Sequence, residues 1–275
     1  MTGKEYLVLG ASGKTGSRAV GLLRDRGVPV RAASRSSATR FDWQDPGTWA
    51  PALEGVTGVY LVVPHDPAWL DGFVEAMENA GVQRAVLLSS RNLEGNYLFE
   101  ASMEVAEAAL QQSSLEWTIV RANFFMQNFS EEFLLPPVEA GRVALPTGGT
   151  PEAFIHAEDI AAVVVAALLE DGHASKVYEI SGPEAITYAD AVAQIAEASG
   201  RPVVYQELTP EAYEQELVAA GYDRETIVEF NDLWKSVRDG LYSEVTNTVR
   251  QVTGREPISF RDYLAEVVAE KRVWR

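Results

Sequence analysis

Three glycines carry the first recognisable chemistry in this chain. Gly10, Gly13 and Gly16 stand in LVLGASGKTGS, after a short apolar run and at the head of an amphipathic segment. At this spacing Gly10 allows a tight turn, Gly13 lets backbone N–H groups approach an anion, and Gly16 lets a helix pack close to a strand. The first turn of such a helix has N–H groups without intrahelical acceptors and carries a partial positive charge. With Ser12 and Thr15, the loop therefore reads as a pyrophosphate cradle of the dinucleotide type. Gly13-Lys14-Thr15 also looks like the end of a triphosphate loop. That loop needs a glycine five positions before its Gly-Lys, where this chain has Val8.

The residues after the second expected strand choose between dinucleotides. A carboxylate there would bind both ribose hydroxyls of NAD, whereas a basic residue accepts the 2′-phosphate of NADP. The chain reads Ser34-Arg35-Ser36, with no carboxylate between Asp25 and Asp42. Arg35 has the planar fork suited to phosphate, the serines can donate hydrogen bonds, and Lys14 adds charge near the 2′-phosphate of an NADP. The expected cofactor is NADP(H). Further along, Asp42 either holds the adenine amino group with Trp43 alongside, or caps a loop beside a half-buried aromatic. Val63 and Pro64 close a strand and are expected to border adenine or ribose through their backbone.

Catalytic groups are harder to find. Ser89 and Ser90 end a strand at the carboxyl edge of the expected sheet, where ligands of open α/β sheets bind. Ser89 is the candidate to hydrogen-bond a substrate oxygen or the cofactor. No tyrosine has a lysine four residues on, so the familiar Tyr–Lys proton donor is missing. Tyr97, Glu100 and Glu104 remain as substitute acids or as plain helix-surface residues. Phe124, Phe125 and Met126 form either an apolar wall for a flat substrate or ordinary core. His156 either faces the cleft or serves as a cap or buried packing residue. There is no cysteine, hence no thiolate nucleophile and no disulfide. No His, Asp and Glu set has metal spacing, and no Gly-x-Ser-x-Gly elbow is present.

The elements that must position these residues alternate. Strands are expected at Tyr6–Leu9, Val28–Ala33, Val59–Val63, Ala85–Leu88 and Trp117–Val120. Helices are expected at Lys14–Arg26, Asp45–Leu53, Pro67–Ala80 and Tyr97–Gln112. Strand–helix alternation with short connections implies a parallel sheet with helices on both faces. Beyond it, Asn123–Leu134 reads as a helix broken by Pro136-Pro137, and Gly141 to Pro151 as loop with a short strand. His156–Glu170 is a buried helix, Val177–Ile180 a strand, Tyr188–Ser199 a helix and Val203–Gln206 a late strand. Pro210–Gly240 and Phe260–Glu270 are helical. The fold class is α/β, a Rossmann-like doubly wound parallel sheet with a small, mostly helical C-terminal lobe. Residues 1–130 form the cofactor-binding core. Residues 131–275 complete that core over about 153–181 and supply the substrate lobe.

Composition narrows the rest. The 275-residue chain is 47% apolar and carries a net charge of −17, most of it beyond residue 130. An acidic body repels nucleic-acid phosphate and anionic lipid, while the nearly neutral first half is where a polyanionic cofactor sits at least cost. The N-terminal apolar run is too short for a signal peptide, and no run is long enough to span a membrane. The expectation is a cytoplasmic monomer or homodimer with a small-molecule substrate and no nucleic-acid or membrane partner.

The motifs resemble the NmrA-like branch of the atypical short-chain dehydrogenases/reductases over nearly the whole chain. The resemblance is carried by GASGKTG, FDWQDPGTW, GVYLVVP, AGVQRAVLLSS, SSLEWTIVRANFFMQNF, FIHAEDIAAV, YEISGPEAITYADAVAQIAEASGRPVVY and VTGREPISFRDYL. It implies the fold and an NADP(H) cofactor, with Asn123 and Phe124 beside the nicotinamide. It implies the substrate poorly. The family includes quinone and azo-dye reductases, natural-product tailoring reductases, and NADP-sensing regulators with little or no catalysis.

Overall fold

The computed structural model describes residues 4–64, 66–91, 101–270 and 274. Among them, seven parallel strands form the main sheet. These are β1 (Glu5–Leu9), β2 (Val30–Ser34), β3 (Thr39–Arg40), β4 (Val56–Val62), β5 (Arg84–Ser90), β6 (Glu116–Ala122) and β8 (Lys176–Ile180). Their order is β3-β2-β1-β4-β5-β6-β8. The order reverses between β1 and β4, which opens a crevice at their carboxyl ends.

Strand alternation sends side chains to two separate helical layers. Leu7, Leu9, Val59, Leu61, Ala85 and Leu87 pack with Trp49, Phe73, Met77 and Leu110. Those partners come from α2 (Trp49–Leu53), α3 (Leu70–Asn79) and α4 (Ala101–Gln112). On the other face Tyr6, Val8, Tyr60, Val86 and Val120 meet Ala19, Val20, Leu23, Ile160 and Val164, from α1 (Lys14–Asp25) and α7 (Ala157–Leu169). Helix α7 is buried almost all round, as its apolar middle requires.

A third apolar cluster forms around Phe129, Phe154, Tyr188, Trp234 and Phe260. It draws on α5 (Asn128–Glu131), α6 (Leu135–Glu139), α8 (Tyr188–Ser199), α9 (Pro210–Ala219), α10 (Arg224–Arg238) and α12 (Phe260–Glu270). A separate two-stranded sheet pairs β7 (Arg142–Leu145) with β9 (Val204–Glu207).

Several expectations change. The Asn123–Leu134 helix shrinks to α5, because Met126 N–H bonds to Ile155 and Phe125 bridges to Ile155 in an extended stretch. Pro136 and Pro137 do not break a helix; they start α6, where a missing N–H costs nothing. The Pro210–Gly240 stretch is two helices, divided where Gly221 takes φ +85° and Asp223 caps α10. Strand β3 and helix α11 (Thr248–Thr253) were not expected.

Candidate functional site

The glycine loop ends β1 and begins α1. Gly10 adopts φ +61°, a conformation glycine reaches without steric cost, and its carbonyl accepts the Gly13 N–H at 2.8 Å. A Cβ on Gly16 would lie 2.2 Å from that carbonyl oxygen, so only glycine lets α1 start this close to the strand. Gly13 occupies the N-cap of α1 and no side chain caps the helix. In α7, α8, α9 and α10 a side chain from His156, Thr187, Thr209 and Asp223 does that work. The unsatisfied start of α1 therefore fits an external anion such as a diphosphate. The Thr15 hydroxyl is buried and accepts a hydrogen bond from the Tyr60 hydroxyl at 2.9 Å.

A cleft of about 880 Å³ runs from this loop across the crevice. Gly10, Ser12, Ser34, Arg35, Asp42, Trp43, Val63 and Pro64 all line it, so most residues expected at the adenosine end are brought together. Ser34 acts locally: its hydroxyl accepts the N–H groups of Ser36 and Ser37 at 3.3 and 3.1 Å. That turn leaves Arg35 exposed, with no hydrogen-bond or ion-pair partner among the described residues. Asp42 acts as the loop cap of the second reading and also lines the cleft. One carboxylate oxygen caps the loop by accepting Gln44 N–H at 3.1 Å, and the residue still faces the cleft. Trp43 is half-buried, edge-on to Phe41 and Phe73 at 5.1 and 4.9 Å. Asp66 and Trp69 join the wall unforeseen. The Asp-Pro pair at 66–67, a repeat of that at 45–46, is the sequence signal for their helical turn, where Asp66 accepts Ala68 N–H at 3.0 Å.

The other end of the crevice departs further from expectation. Ser89 is buried and donates its hydroxyl to Glu107 at 2.6 Å. Glu107 in turn accepts two bonds from Arg121, at 2.9 and 2.6 Å. The Ser89 hydroxyl thus anchors β5 to α4. Asn123 is anchored in a similar way. Its amide nitrogen donates to the carbonyls of Ala153 and Tyr242 at 2.9 and 2.8 Å, and its oxygen accepts from buried Arg91 at 3.1 Å. Both hydrogens of that amide are engaged within the protein.

Met126 is buried in the third cluster, so it supports the wall and does not face a ligand. His156 is also buried. Its Nδ1 accepts Glu158 N–H at 3.1 Å as the cap of α7. Its Nε2 lies 3.4 Å from Glu266, and burial pushes its pKa down to about 4. It is a structural cap and not a cleft residue. Phe124 and Phe125 remain half-buried. Phe124 meets Tyr242 edge-on at 5.2 Å, and the Lys14 ammonium sits 5.8 Å from the Phe125 centroid. Glu104 is an exposed helix residue. Tyr97 and Glu100 lie outside the described residues.

Among the described residues no His, Asp and Glu group could hold a metal, and no helix is long and apolar enough to cross a membrane. Residues 10–171 match the NAD(P)H-binding family. A phosphate reductase of Streptomyces griseus, named for (4-alkanoyl-5-oxo-2,5-dihydrofuran-3-yl)methyl phosphate, is 34% identical, covering 94% of this chain and 96% of its own. An NAD(P)H azoreductase of Xenophilus azovorans is 30% identical over the same shares. An NADPH-dependent quinone oxidoreductase of Escherichia coli, solved with NADPH, superposes with a TM-score of 0.82 at 20% identity, covering 96% of this chain and 99% of that one.

Proposed function

The chain belongs to the NAD(P)H-binding family, as an oxidoreductase of the NmrA-like short-chain dehydrogenase/reductase kind, and from that premise we propose that it is an NADPH-dependent reductase of a small aromatic or conjugated acceptor. The acceptor class is a quinone, ketone or iminium, in keeping with a tailoring role in natural-product chemistry. The single observation that carries the cofactor reading is the helix α1 that begins without a cap in a cleft whose far end presents an unpaired guanidinium. The reduced nicotinamide, when bound, supplies the hydride.

The chain's own residues do the binding and orienting. The first-turn N–H groups of α1 hold the diphosphate, and Arg35 grips the 2′-phosphate with a charge-assisted pair of bonds. Val63 and Pro64 shield the adenosine from one side, with Asp42 and Trp43 on the other. Phe124 and Phe125 offer half-buried faces suited to a flat acceptor. The third cluster, built mostly from residues beyond 130, closes the acceptor end as the substrate lobe. No Tyr–Lys donor exists in the sequence and Ser89 is bound to Glu107. Acceptors whose reduced form takes its proton from water therefore suit the site best.

The missing Tyr–Lys pair and the engaged Ser89 also support a second reading, an NADP(H)-sensing protein that binds without turnover. One assay separates the two. A reductase consumes NADPH, followed by absorbance at 340 nm, with some member of a panel of quinones, ketones and imines. A sensor binds NADPH and leaves the whole panel untouched. NADPH binding no tighter than NADH binding overturns the assignment of Arg35.

A further inference from the structure

Lys14 is the first residue of α1, yet its ammonium is paired with Glu132, just past α5. Only 19% of the Lys14 side chain is exposed, against 54% for Glu132. One turn later Arg18 makes a second bridge to Glu131 at 2.8 Å and donates to the Lys14 carbonyl at 2.7 Å. A doubled ionic strap thus ties the helix of the glycine loop to the segment that follows Phe125 and Met126.

We propose that Glu132 competes with the cofactor diphosphate for Lys14, so that filling the crevice releases one of the two ties. The inference rests on membership of the NAD(P)H-binding family and not on the choice of acceptor. Lys14 opens the very turn whose free N–H groups fit a diphosphate. A diphosphate brings two negative charges against one on Glu132, and Glu132 is the partner more open to water, where its attraction is screened. The ammonium therefore moves from the carboxylate to the phosphates on loading, and Glu132 turns to solvent. Arg18 starts a turn further from the anion and keeps Glu131. Cofactor occupancy is in this way felt at residues 128–135, beside the half-buried Phe125.

The test is calorimetric titration of the whole protein with NADP⁺ and with adenosine 2′-monophosphate, which keeps the 2′-phosphate but carries no phosphate at the 5′ position. Glu132→Gln should tighten NADP⁺ binding about two- to fivefold, the worth of one partly exposed ion pair. The monophosphate should bind that variant as it binds the parent. In a Lys14→Met background, checked for folding by thermal unfolding, the gain from Glu132→Gln should vanish. Glu131→Gln, which loosens only the Arg18 bridge, should leave NADP⁺ affinity unchanged. Unchanged or weaker NADP⁺ binding by Glu132→Gln overturns the proposal, as does a gain that survives Lys14→Met or extends equally to the monophosphate. A parent protein that binds no NADP⁺ fails the cofactor assignment instead, a separate result.

Discussion

The two ends of the crevice use similar residue types to opposite effect. At the adenosine end, Ser12, Arg35 and Asp42 face an open cleft, and the helix between them starts without a cap. Over β5 and β6, Ser89, Asn123 and His156 are each buried and each bonded to protein. A buried polar group must find a partner or cost about 1–3 kcal/mol. Groups that find one inside the chain build the frame, and groups left open wait for a ligand. Polarity at a sheet edge therefore does not by itself mark chemistry; satisfaction does.

The contrast is sharpest where removal hurts most. Glu107→Ala should cost about 3 kcal/mol in urea unfolding, because it leaves the buried Ser89 hydroxyl without its acceptor and removes the closer of the two carboxylates on Arg121, Glu179 staying at 3.7 Å. If this variant unfolds like the parent but loses catalysis, Ser89 and Glu107 belong to the chemistry after all. Gly16→Ala comes next. Its methyl would enter the space of the Gly10 carbonyl, so a loss of about 2–3 kcal/mol is expected, with NADPH affinity falling alongside in a fluorescence-free titration such as calorimetry. Arg35→Ala should leave stability alone and weaken NADPH about tenfold or more, with NADH unchanged, as a lost charge-assisted phosphate pair predicts.

The smallest effect is a pH dependence at the buried end. The folded-state pKa of His156 lies at about 4, below the ordinary 6.5. Between these values the unfolded chain binds more protons. The stability from a neutral His156 is thus complete above pH 6.5 and is lost as pH falls toward 4. By pH 5.5 the loss should be on the order of 1–2 kcal/mol, with burial first and then the Arg18 and Arg255 charges disfavouring the charged ring. His156→Asn keeps a capping side chain and should flatten that acid limb in thermal melts; an unaltered limb would assign the dependence elsewhere.

The glycine loop was legible because its function is backbone geometry, and glycine spacing writes that geometry into sequence. The parallel sheet was legible because its strands and helices carry different apolar periods. What escaped was contact between distant residues. Nothing near Ser89 announces Glu107 on α4, and nothing near Asn123 announces the Ala153 and Tyr242 carbonyls that hold it. The same blindness hid the fate of 123–127, where an Asn-anchored extended turn prevailed over local helix preference. His156 shows the middle case: its place ahead of an apolar helix allowed a cap, but only burial decided between cap and cleft.

Three of the six tryptophans gather at one place. Trp43 and Trp69 line the adenosine cleft, and Trp49 lies edge-on to Trp69 at 6.4 Å. Indole emission overlaps the absorption of reduced nicotinamides, so light taken up by this cluster passes to a dihydropyridine seated along the crevice and is lost as indole glow. The protein thus carries its own optical gauge of occupancy: dimming reports the reduced coenzyme, and brightness returns as it is spent.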